Sequence, residues 1–260
     1  MTTQFFKYEG TGNDFILIDN RKLAFDHSKP ELIQKICNRR FGIGADGLML
    51  LQKKSGFDFE MVYYNSNGEP SSMCGNGGRC IVAFAKSLGI ITSETTFLAV
   101  DGPHYAKISE DNWVSLQMID VTQTTKDGEA FVLNTGSPHY VSQVSNLDSK
   151  DVYRDGKEVR YNDTYKAEGI NVNYVEDMAS YYFVRTYERG VEDETYACGT
   201  GVTAVALAMA KLKKQTGFIN TPIKVLGGRL NIKFQYDGDA FTKIFLEGPA
   251  TYVYEGTINV

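Results

Sequence analysis

Met73-Cys74-Gly75-Asn76-Gly77 has a near copy in the second half of the chain, Ala197-Cys198-Gly199-Thr200-Gly201. Each copy follows a strand-like run and leads into apolar residues at helical spacing. Asn65 and Arg189 stand at the same distance before the cysteine of their copies. The sequence therefore predicts a duplicated unit of strand, glycine-containing loop, Cys-Gly-x-Gly turn and helix.

Three helices are predicted from apolar periodicity and terminal residues. Cys80 falls on the apolar stripe of the helix after the first motif, and Gly89 lies just past its end. The helix after the second motif repeats this plan. A third helix is expected over Pro30–Cys37, opened by its proline and with Ser28 as its N-cap.

Strand-like runs, rich in aromatic and β-branched residues, dominate the chain. Examples are Phe59–Tyr64, Trp113–Met118, His139–Val144, Tyr181–Tyr187, Ile223–Leu226, Leu230–Phe234, Ile244–Leu246 and Tyr252–Tyr254. We expect an α+β fold with two pseudo-symmetric halves, each a curved, mainly antiparallel β-sheet or barrel around a central α-helix. One half would comprise residues 1–117 with 249–260, and the other residues 118–248, with the active site in the cleft between them.

The overall composition is that of a globular protein. The 260 residues are 42% hydrophobic and 23% charged, and the net charge is −5. An acidic chain argues against nucleic acid as a main partner. No run approaches the ~20 apolar residues of a membrane helix, and the first residues lack a signal-peptide core. We therefore expect a cytoplasmic protein with neither a nucleic-acid nor a membrane partner.

The four cysteines are expected to be free thiols. They are too few for a disulfide scaffold, and no CxxC pair accompanies the three histidines, so a structural zinc site is not expected. Cys37 and Cys80 are interpreted as small buried side chains of the core. Cys74 and Cys198 are instead candidates for chemistry, because both stand in the duplicated motif.

A cysteine at a helix start has special chemistry. The first backbone N–H groups of a helix have no intrahelical partner and its dipole is positive there, so the thiol pKa falls below its free value of about 8.5. Gly75 and Gly199 let backbone N–H groups approach an anion closely. A carboxylate held there would have its α-carbon acidified. Two thiols would then suit proton removal from one face and proton return to the other.

Other interpretations remain open on these residues alone. Two close thiols could be a redox pair, and the protein could be a non-catalytic β-rich binding module. Asn13 and Asn65 could be turn formers, and His139 an ordinary residue at a strand start. Asp14 and Asp46 are interpreted as turn and capping residues.

The chain resembles the diaminopimelate epimerase family over nearly its whole length. The matching segments are Gly10-Thr11-Gly12-Asn13-Asp14-Phe15, Gly42-Ile43-Gly44-Ala45-Asp46-Gly47, Tyr64-Asn65-Ser66-Asn67-Gly68, Cys74-Gly75-Asn76-Gly77-Gly78-Arg79, Gly136-Ser137-Pro138-His139, Glu188-Arg189-Gly190 and Glu194-Thr195-Tyr196-Ala197-Cys198-Gly199-Thr200-Gly201. The paired cysteine motifs alone also fit proline-racemase-like enzymes. A racemase acting on proline-like or dicarboxylate substrates is therefore the nearest alternative.

The resemblance implies epimerisation of LL-2,6-diaminopimelate to meso-diaminopimelate, in lysine and peptidoglycan-precursor biosynthesis, without a cofactor or a metal. Cys74 and Cys198 would be the catalytic base and acid, with roles that exchange with reaction direction. The resemblance also implies a small amino-acid substrate and a homodimer. The residues implied for substrate binding are Asn13, Asn65, Gly75, Asn76, Asn171, Glu188, Arg189, Gly199 and Thr200.

Two further positions carry expectations from the resemblance. His139 would lie beside one thiol and tune it. Ser137 stands where many family members have asparagine, so a substrate contact there is expected to be lost or bridged by water.

Overall fold

The computed structural model describes residues 2–71 and 73–259, which form four α-helices and seventeen strands. The helices are α1 (Pro30–Cys37), α2 (Gly75–Ser87), α3 (Val152–Arg160) and α4 (Gly199–Leu212). The strands are β1 (Thr2–Gly10), β2 (Asn13–Asp19), β3 (Gly47–Gln52), β4 (Glu60–Asn65), β5 (Glu94–Ala99), β6 (Gly102–Ile108), β7 (Trp113–Gln117), β8 (Thr124–Asp127), β9 (Ala130–Asn134), β10 (Pro138–Gln143), β11 (Asn171–Asp177), β12 (Tyr182–Glu188), β13 (Asp193–Thr195), β14 (Gly217–Val225), β15 (Gly228–Tyr236), β16 (Phe241–Pro249) and β17 (Thr251–Asn259).

The chain divides into two compact units. The N-terminal unit comprises residues 1–116 with 248–260, and the C-terminal unit residues 117–247. In the N-terminal unit the strands pair in the order β17-β1-β2-β3-β4-β5-β6-β7. The β2–β3 and β4–β5 pairs are parallel and the others antiparallel.

The C-terminal unit repeats this topology. Its strands pair in the order β8-β9-β10-β11-β12-β14-β15-β16, with the short β13 also paired to β12. The parallel pairs, β10–β11 and β12–β14, are again the third and the fifth pairings in this order. α1 and α3 each connect the third strand of their unit to the fourth, whereas α2 and α4 lie between the fifth and the sixth. The duplication predicted from the sequence is thus present in the topology of both units, and the α+β fold class is confirmed.

α2 and α4 are the central helices of their units. In α2 every residue from Gly75 to Ala85 is buried, and the helix packs against β1, β2, β3 and β6. In α4 every residue from Gly201 to Ala210 is buried, and the helix packs against β9, β10, β11, β12, β14 and β15. A helix buried on all sides cannot shift without disturbing the strands around it. The first turn of each helix is therefore held firmly in place by its own unit.

Some sequence-based predictions were wrong in detail. Lys29, not Ser28, is the N-cap of α1, and it makes no side-chain capping bond. α3 was not predicted, although the Asp151 side chain accepts a hydrogen bond from the backbone N–H of Arg154 at its start. Cys37 and Cys80 are buried, as the core interpretation requires. No helix in residues 2–71 and 73–259 has the length and apolar character to cross a membrane.

Candidate active site

Cys74 occupies the N-cap of α2. Its backbone is extended, with φ −107° and ψ 131°, and its side chain makes no capping bond. The Cys74 carbonyl accepts the N–H of Gly78 at 2.7 Å, so the helix begins directly after the cysteine. The first turn contains no acidic residue, and Gly75, Asn76 and Gly77 are buried. The N-terminal end of a helix is where backbone N–H groups and the helix dipole favour an anion.

Asn13 connects β2 to this helix start. The Cys74 thiol donates to Asn13 Oδ1 at 3.7 Å, and the amide nitrogen of Asn76 donates to the same oxygen at 3.3 Å. The amide nitrogen of Asn13 donates to Asp46 Oδ2 at 2.6 Å. Asp46 thereby sets the orientation of the Asn13 amide, with its oxygen toward the thiol. Asp46 also accepts the backbone N–H of Asp14 at 3.3 Å, so it supports the Asn13 amide in addition to a capping role.

An ionic cluster fixes Asp46 in turn. Arg39 Nη2 lies 2.7 Å from Asp46 Oδ1 and 2.6 Å from Asp14 Oδ1, and Lys7 Nζ lies 2.6 Å from Asp14 Oδ2. Burial opposes ionisation of Asp14, but hydrogen bonds from Arg39 and Lys7 outweigh it and hold the pKa of that carboxyl well below its usual range. Asp14 is therefore part of this cluster and not a turn former, which corrects its interpretation.

Arg79 anchors the first turn of α2 from within. Its side chain is fully buried, which lowers its pKa, and it donates to the carbonyl of Gly75, to Thr11 Oγ1, to Asn76 Oδ1 and to the carbonyl of Pro249. Because Asn76 Oδ1 faces the guanidinium, the amide nitrogen of Asn76 is left to donate to Asn13. The orientation of the Asn76 amide therefore follows from a buried charge, and that of the Asn13 amide from the half-buried Asp46.

Asn65 lies at the end of β4, in a tight turn. Its N–H donates to the Glu69 carbonyl, and its carbonyl accepts the N–H of Gly68, both at 2.9 Å. Gly68 has φ +88° and its α-carbon lies against the backbone of Pro30, so only glycine fits there. The next residue, Ser66, donates its N–H to the Asp46 carbonyl at 3.0 Å. Asn65 is thus tied through the backbone to the residue that orients Asn13.

Cys198 occupies the matching N-cap of α4. Its backbone is again extended, with φ −113° and ψ 110°, and its side chain makes no capping bond. Only 6% of the residue is exposed, and its sulfur lies 3.5 Å from Thr200 Oγ1. The Thr200 carbonyl accepts the hydroxyl of Thr135 at 2.8 Å. A Cβ on Gly201 would lie 3.3 Å from the Cys198 sulfur and collide with Asn173 Oδ1.

His139 is connected to this helix start through Asn173. Asn173 lies on β11 two residues beyond Asn171, the residue that pairs with His139 on β10, and Asn173 Nδ2 donates to His139 Nδ1 at 3.1 Å. Asn173 Oδ1 accepts the Thr186 hydroxyl at 3.0 Å. His139 is fully buried, and burial, followed by the charge of Arg189, lowers its pKa to about 3. The imidazole is therefore neutral, with its proton on Nε2, which has no hydrogen-bond partner among the described residues.

Ser137 joins two of the predicted binding residues. Its hydroxyl oxygen accepts Asn171 Nδ2 at 2.9 Å and Arg189 Nη2 at 3.2 Å. Asn171 Oδ1 accepts the backbone N–H of Arg189 at 2.9 Å, and Arg189 Nη1 donates to the Glu168 carbonyl at 3.0 Å. Ser137 thus positions Asn171 and Arg189 within its own unit.

Glu188 ends β12 directly before Arg189. One of its carboxylate oxygens, Oε2, accepts the Thr195 hydroxyl at 3.0 Å. The carboxylate, the guanidinium and the Asn171 amide together could hold a ligand that carries both an ammonium and a carboxylate group.

Each unit thus assembles its own predicted site residues. The N-terminal unit groups Asn13, Asn76 and Cys74, and the C-terminal unit groups Asn171 with Arg189. Sequence reasoning missed Asp46 and Asn173 as supports. Asp46 stands inside a matching motif, but nothing local in the sequence marks Asn173. No group of three or more His, Cys, Asp or Glu side chains within the described ranges is placed to hold a metal ion.

Comparison with known proteins gives consistent relatives over the whole chain. A sequence model of the family "Diaminopimelate epimerase" matches residues 5–123 and 131–253. The diaminopimelate epimerase of Flavobacterium psychrophilum is 53% identical over 254 residues, which cover 97% of this chain and 99% of that protein. The diaminopimelate epimerase of Chlorobaculum tepidum is 42% identical, with 96% of this chain and 99% of that protein covered.

Solved structures share the fold at low sequence identity. A phenazine biosynthesis protein of the PhzF family from Bacillus anthracis aligns over 100% of both chains, with a TM-score of 0.77 and 14% identity. A hydroxyproline epimerase from Agrobacterium vitis aligns over 99% of this chain and 92% of its own, with a TM-score of 0.72 and 12% identity. At these identities the likeness extends to the fold alone.

Proposed function

Because this chain belongs to the diaminopimelate epimerase family, we propose that it interconverts LL-2,6-diaminopimelate and meso-diaminopimelate without a cofactor, as a step of lysine and peptidoglycan-precursor biosynthesis. The observation that carries this proposal is the duplicated helix start. Cys74 and Cys198 cap central helices at the same place in the topology of two units. Two-face proton transfer needs two such acid–base groups, one for each face of the reacting carbon.

The chemistry proposed for the thiols is balanced in protons and electrons. One cysteine, as thiolate, takes the α-proton: an S–H bond forms and the Cα–H bond breaks. The electron pair moves into the neighbouring carboxylate. The other cysteine, as thiol, then gives its proton to the opposite face, where a new Cα–H bond forms and thiolate remains. The net change is inversion at one carbon, and the two cysteines have exchanged protonation states.

The helix starts supply the electrostatic part of this proposal. The reacting carboxylate would lie on the backbone N–H groups of Gly75, Asn76, Gly199 and Thr200. Charge that develops on its oxygens would then meet donors already fixed in place by buried helices, so little reorganisation is needed during the reaction. The same N–H groups favour thiolate over thiol at the N-cap.

The remaining residues would hold the rest of the substrate. Arg189, itself oriented by Ser137 and the Glu168 carbonyl, suits the distant carboxylate, and Glu188 suits an ammonium group. Asn13, Asn65 and Asn171 offer amide groups of both polarities, and this site of alternating charges fits an elongated, doubly zwitterionic molecule better than it fits proline. We assign to His139 the role of a neutral neighbour that tunes one thiol without adding charge.

A solvent-exchange experiment tests the function. Purified protein with LL-diaminopimelate in deuterium oxide, without added cofactor, should give meso product carrying deuterium at the inverted α-carbon. Cys74→Ala and Cys198→Ala should each lower kcat by about a thousandfold or more, since each removes a proton donor and acceptor. Chiral chromatography and mass spectrometry measure both outcomes.

Cys80, a buried cysteine outside the two N-cap positions, provides the control. Cys80→Ala should lower the thermal midpoint, because Cys80 is fully buried, while the folded variant keeps its kcat. An enzyme that forms no meso product and incorporates no deuterium does not have the proposed function. Activity on proline in a panel of amino acids would favour the proline-racemase-like alternative.

The proposal extends to assembly and location. We infer a homodimer, to be tested by light scattering at several protein concentrations. We also infer that the enzyme works in the cytoplasm, where a reducing environment keeps both thiols available.

A further inference from the structure

The turn that carries Arg189 is closed by Glu192. β12 ends at Glu188 and β13 begins at Asp193, and these two residues pair across the turn. The N–H of Glu192 donates to the Glu188 carbonyl at 2.8 Å. Gly190 has φ +89° and Glu192 has φ +58°, so the turn uses left-handed backbone twice, once at a residue for which it is unfavourable. Such a turn needs contacts elsewhere to hold it.

The Glu192 carboxylate supplies those contacts. Its Oε1 accepts the backbone N–H of Gly190 at 3.1 Å and lies 3.2 Å from Arg160 Nη2. Its Oε2 accepts the Tyr187 hydroxyl at 3.2 Å. One carboxylate thus joins the middle of the turn to β12 and to the end of α3.

The groups that meet Glu192 are themselves fixed. Tyr187 is fully buried and packs so closely under α3 that a Cβ on Gly156 would collide with its ring and Cβ. Arg160 lies on the last turn of α3, with only 13% of its side chain exposed. Because these donors hold the carboxylate, the turn keeps a fixed position relative to α3 and β12.

We propose that Glu192 is a positioning residue for substrate binding, because it fixes the turn from which Arg189 reaches its ligand. The inference rests on the proposed function for the identity of that ligand. Arg189 is bound at its backbone N–H by Asn171 and at its guanidinium by Ser137 and the Glu168 carbonyl. Those contacts set the direction of the side chain only if the backbone of the turn stays where Glu192 holds it.

The experiment compares Glu192→Ala with Glu158→Ala, an exposed glutamate of α3 outside the turn. Glu192→Ala should raise the KM for diaminopimelate about tenfold and leave kcat within about threefold, because a binding group is displaced while both thiols are untouched. Glu192→Gln keeps an acceptor for the Gly190 N–H, so it should raise the KM less than Glu192→Ala does. Glu158→Ala should behave as the wild type.

Hydrogen exchange supplies a readout that does not depend on turnover. In Glu192→Ala the backbone amides of residues 188–193 should exchange at least about tenfold faster, with the rest of the chain unchanged. Tyr187→Phe, which removes one donor to the carboxylate, should give a smaller change in the same segment. It serves as the second variant if Glu192→Ala does not fold.

The outcomes separate the two proposals. An unchanged KM for Glu192→Ala, or equal losses of kcat and folded fraction, would overturn the positioning role. If the wild type fails to turn over diaminopimelate, the proposed function is wrong. The exchange rates alone then decide on Glu192: faster exchange confined to residues 188–193 supports the role, and unchanged exchange overturns it.

Discussion

The imidazole of His139 is neutral at every pH at which most enzymes work. Full burial, more than the charge of Arg189, lowers its pKa to about 3. An unfolded chain has histidine with an ordinary pKa of about 6.5. Between about pH 3 and pH 6.5 this histidine binds a proton in the unfolded chain but not in the folded chain. Folding stability must therefore depend on pH in this range.

The sign of that dependence gives a prediction. As pH falls from about 6.5 toward 3, His139 should lower the free energy of unfolding by up to about 1.4 kcal/mol per pH unit. His139→Gln removes this dependence, so the stability of the variant should fall less steeply than that of the wild type. Urea unfolding at pH 7, 6 and 5 measures both slopes. Parallel slopes would mean that His139 is protonated in the folded protein.

The site residues divide into those that sequence could predict and those that it could not. Cys74 and Cys198 were predicted from a duplicated motif and from the chemistry of helix starts. Asp46 and Asn173 were not predicted as supports, because their roles depend on the pairing of strands. Asn173 faces His139 only because β10 and β11 are parallel and in that register. No local pattern in the sequence contains this information.

At the scale of elements, the central helices were predicted better than the peripheral ones. α2 and α4 have long apolar patterns that begin at a Cys-Gly-x-Gly turn. α3 was missed because it buries only Val152 and Gly156 among charged residues, which leaves too short an apolar stripe to predict a helix. Predicted strands were placed correctly, but several were too short. Most of the residues missed at the start of β14 and in β17 are at most half-buried or are exposed to solvent.

The two helix starts differ in how tightly they exclude a side chain, which gives a paired prediction. Gly201→Ala should lower the free energy of unfolding by about 2 kcal/mol, because the new Cβ meets Asn173, which is tied to His139 and Thr186. Gly77→Ala should change it by less than about 1 kcal/mol. Its Cβ would overlap the terminal methyl of Met49, the far end of a flexible side chain, and would lie 3.3 Å from the Met49 sulfur; alanine also favours the helix. Chemical denaturation compares them, and equal losses would contradict the argument.

At the scale of the whole molecule, the repeated topology explains how one chain places two cysteines at equivalent helix starts. With the short β13 left aside, five of the seven strand pairings in each unit are antiparallel, in the same succession, counted over residues 2–71 and 73–259. The apolar stripe of each central helix and the cysteine before it could be predicted from the sequence. The order of the strands could not, because pairings between distant segments leave no periodic signal.

The proposed mechanism makes a prediction about oxidation of the whole enzyme. Two thiols that act on one carbon come nearly close enough for a disulfide. Mild oxidation should therefore abolish activity, and dithiothreitol should restore it. Mass spectrometry of peptides should identify a Cys74–Cys198 link, and Cys37→Ala should form the same link. Full activity after oxidation would show that the two sulfurs do not work on the same atom.

The pairing of β1 with β17 has a consequence for how the chain is made on the ribosome. The C-terminal unit is one continuous segment, whereas the N-terminal unit needs two segments that are far apart in the sequence, Thr2–Gly10 and Thr251–Asn259. β1 must therefore wait for β17, which is synthesised much later. Until β17 emerges, one edge of β1 stays unpaired in the nascent protein and is open to pairing with wrong partners.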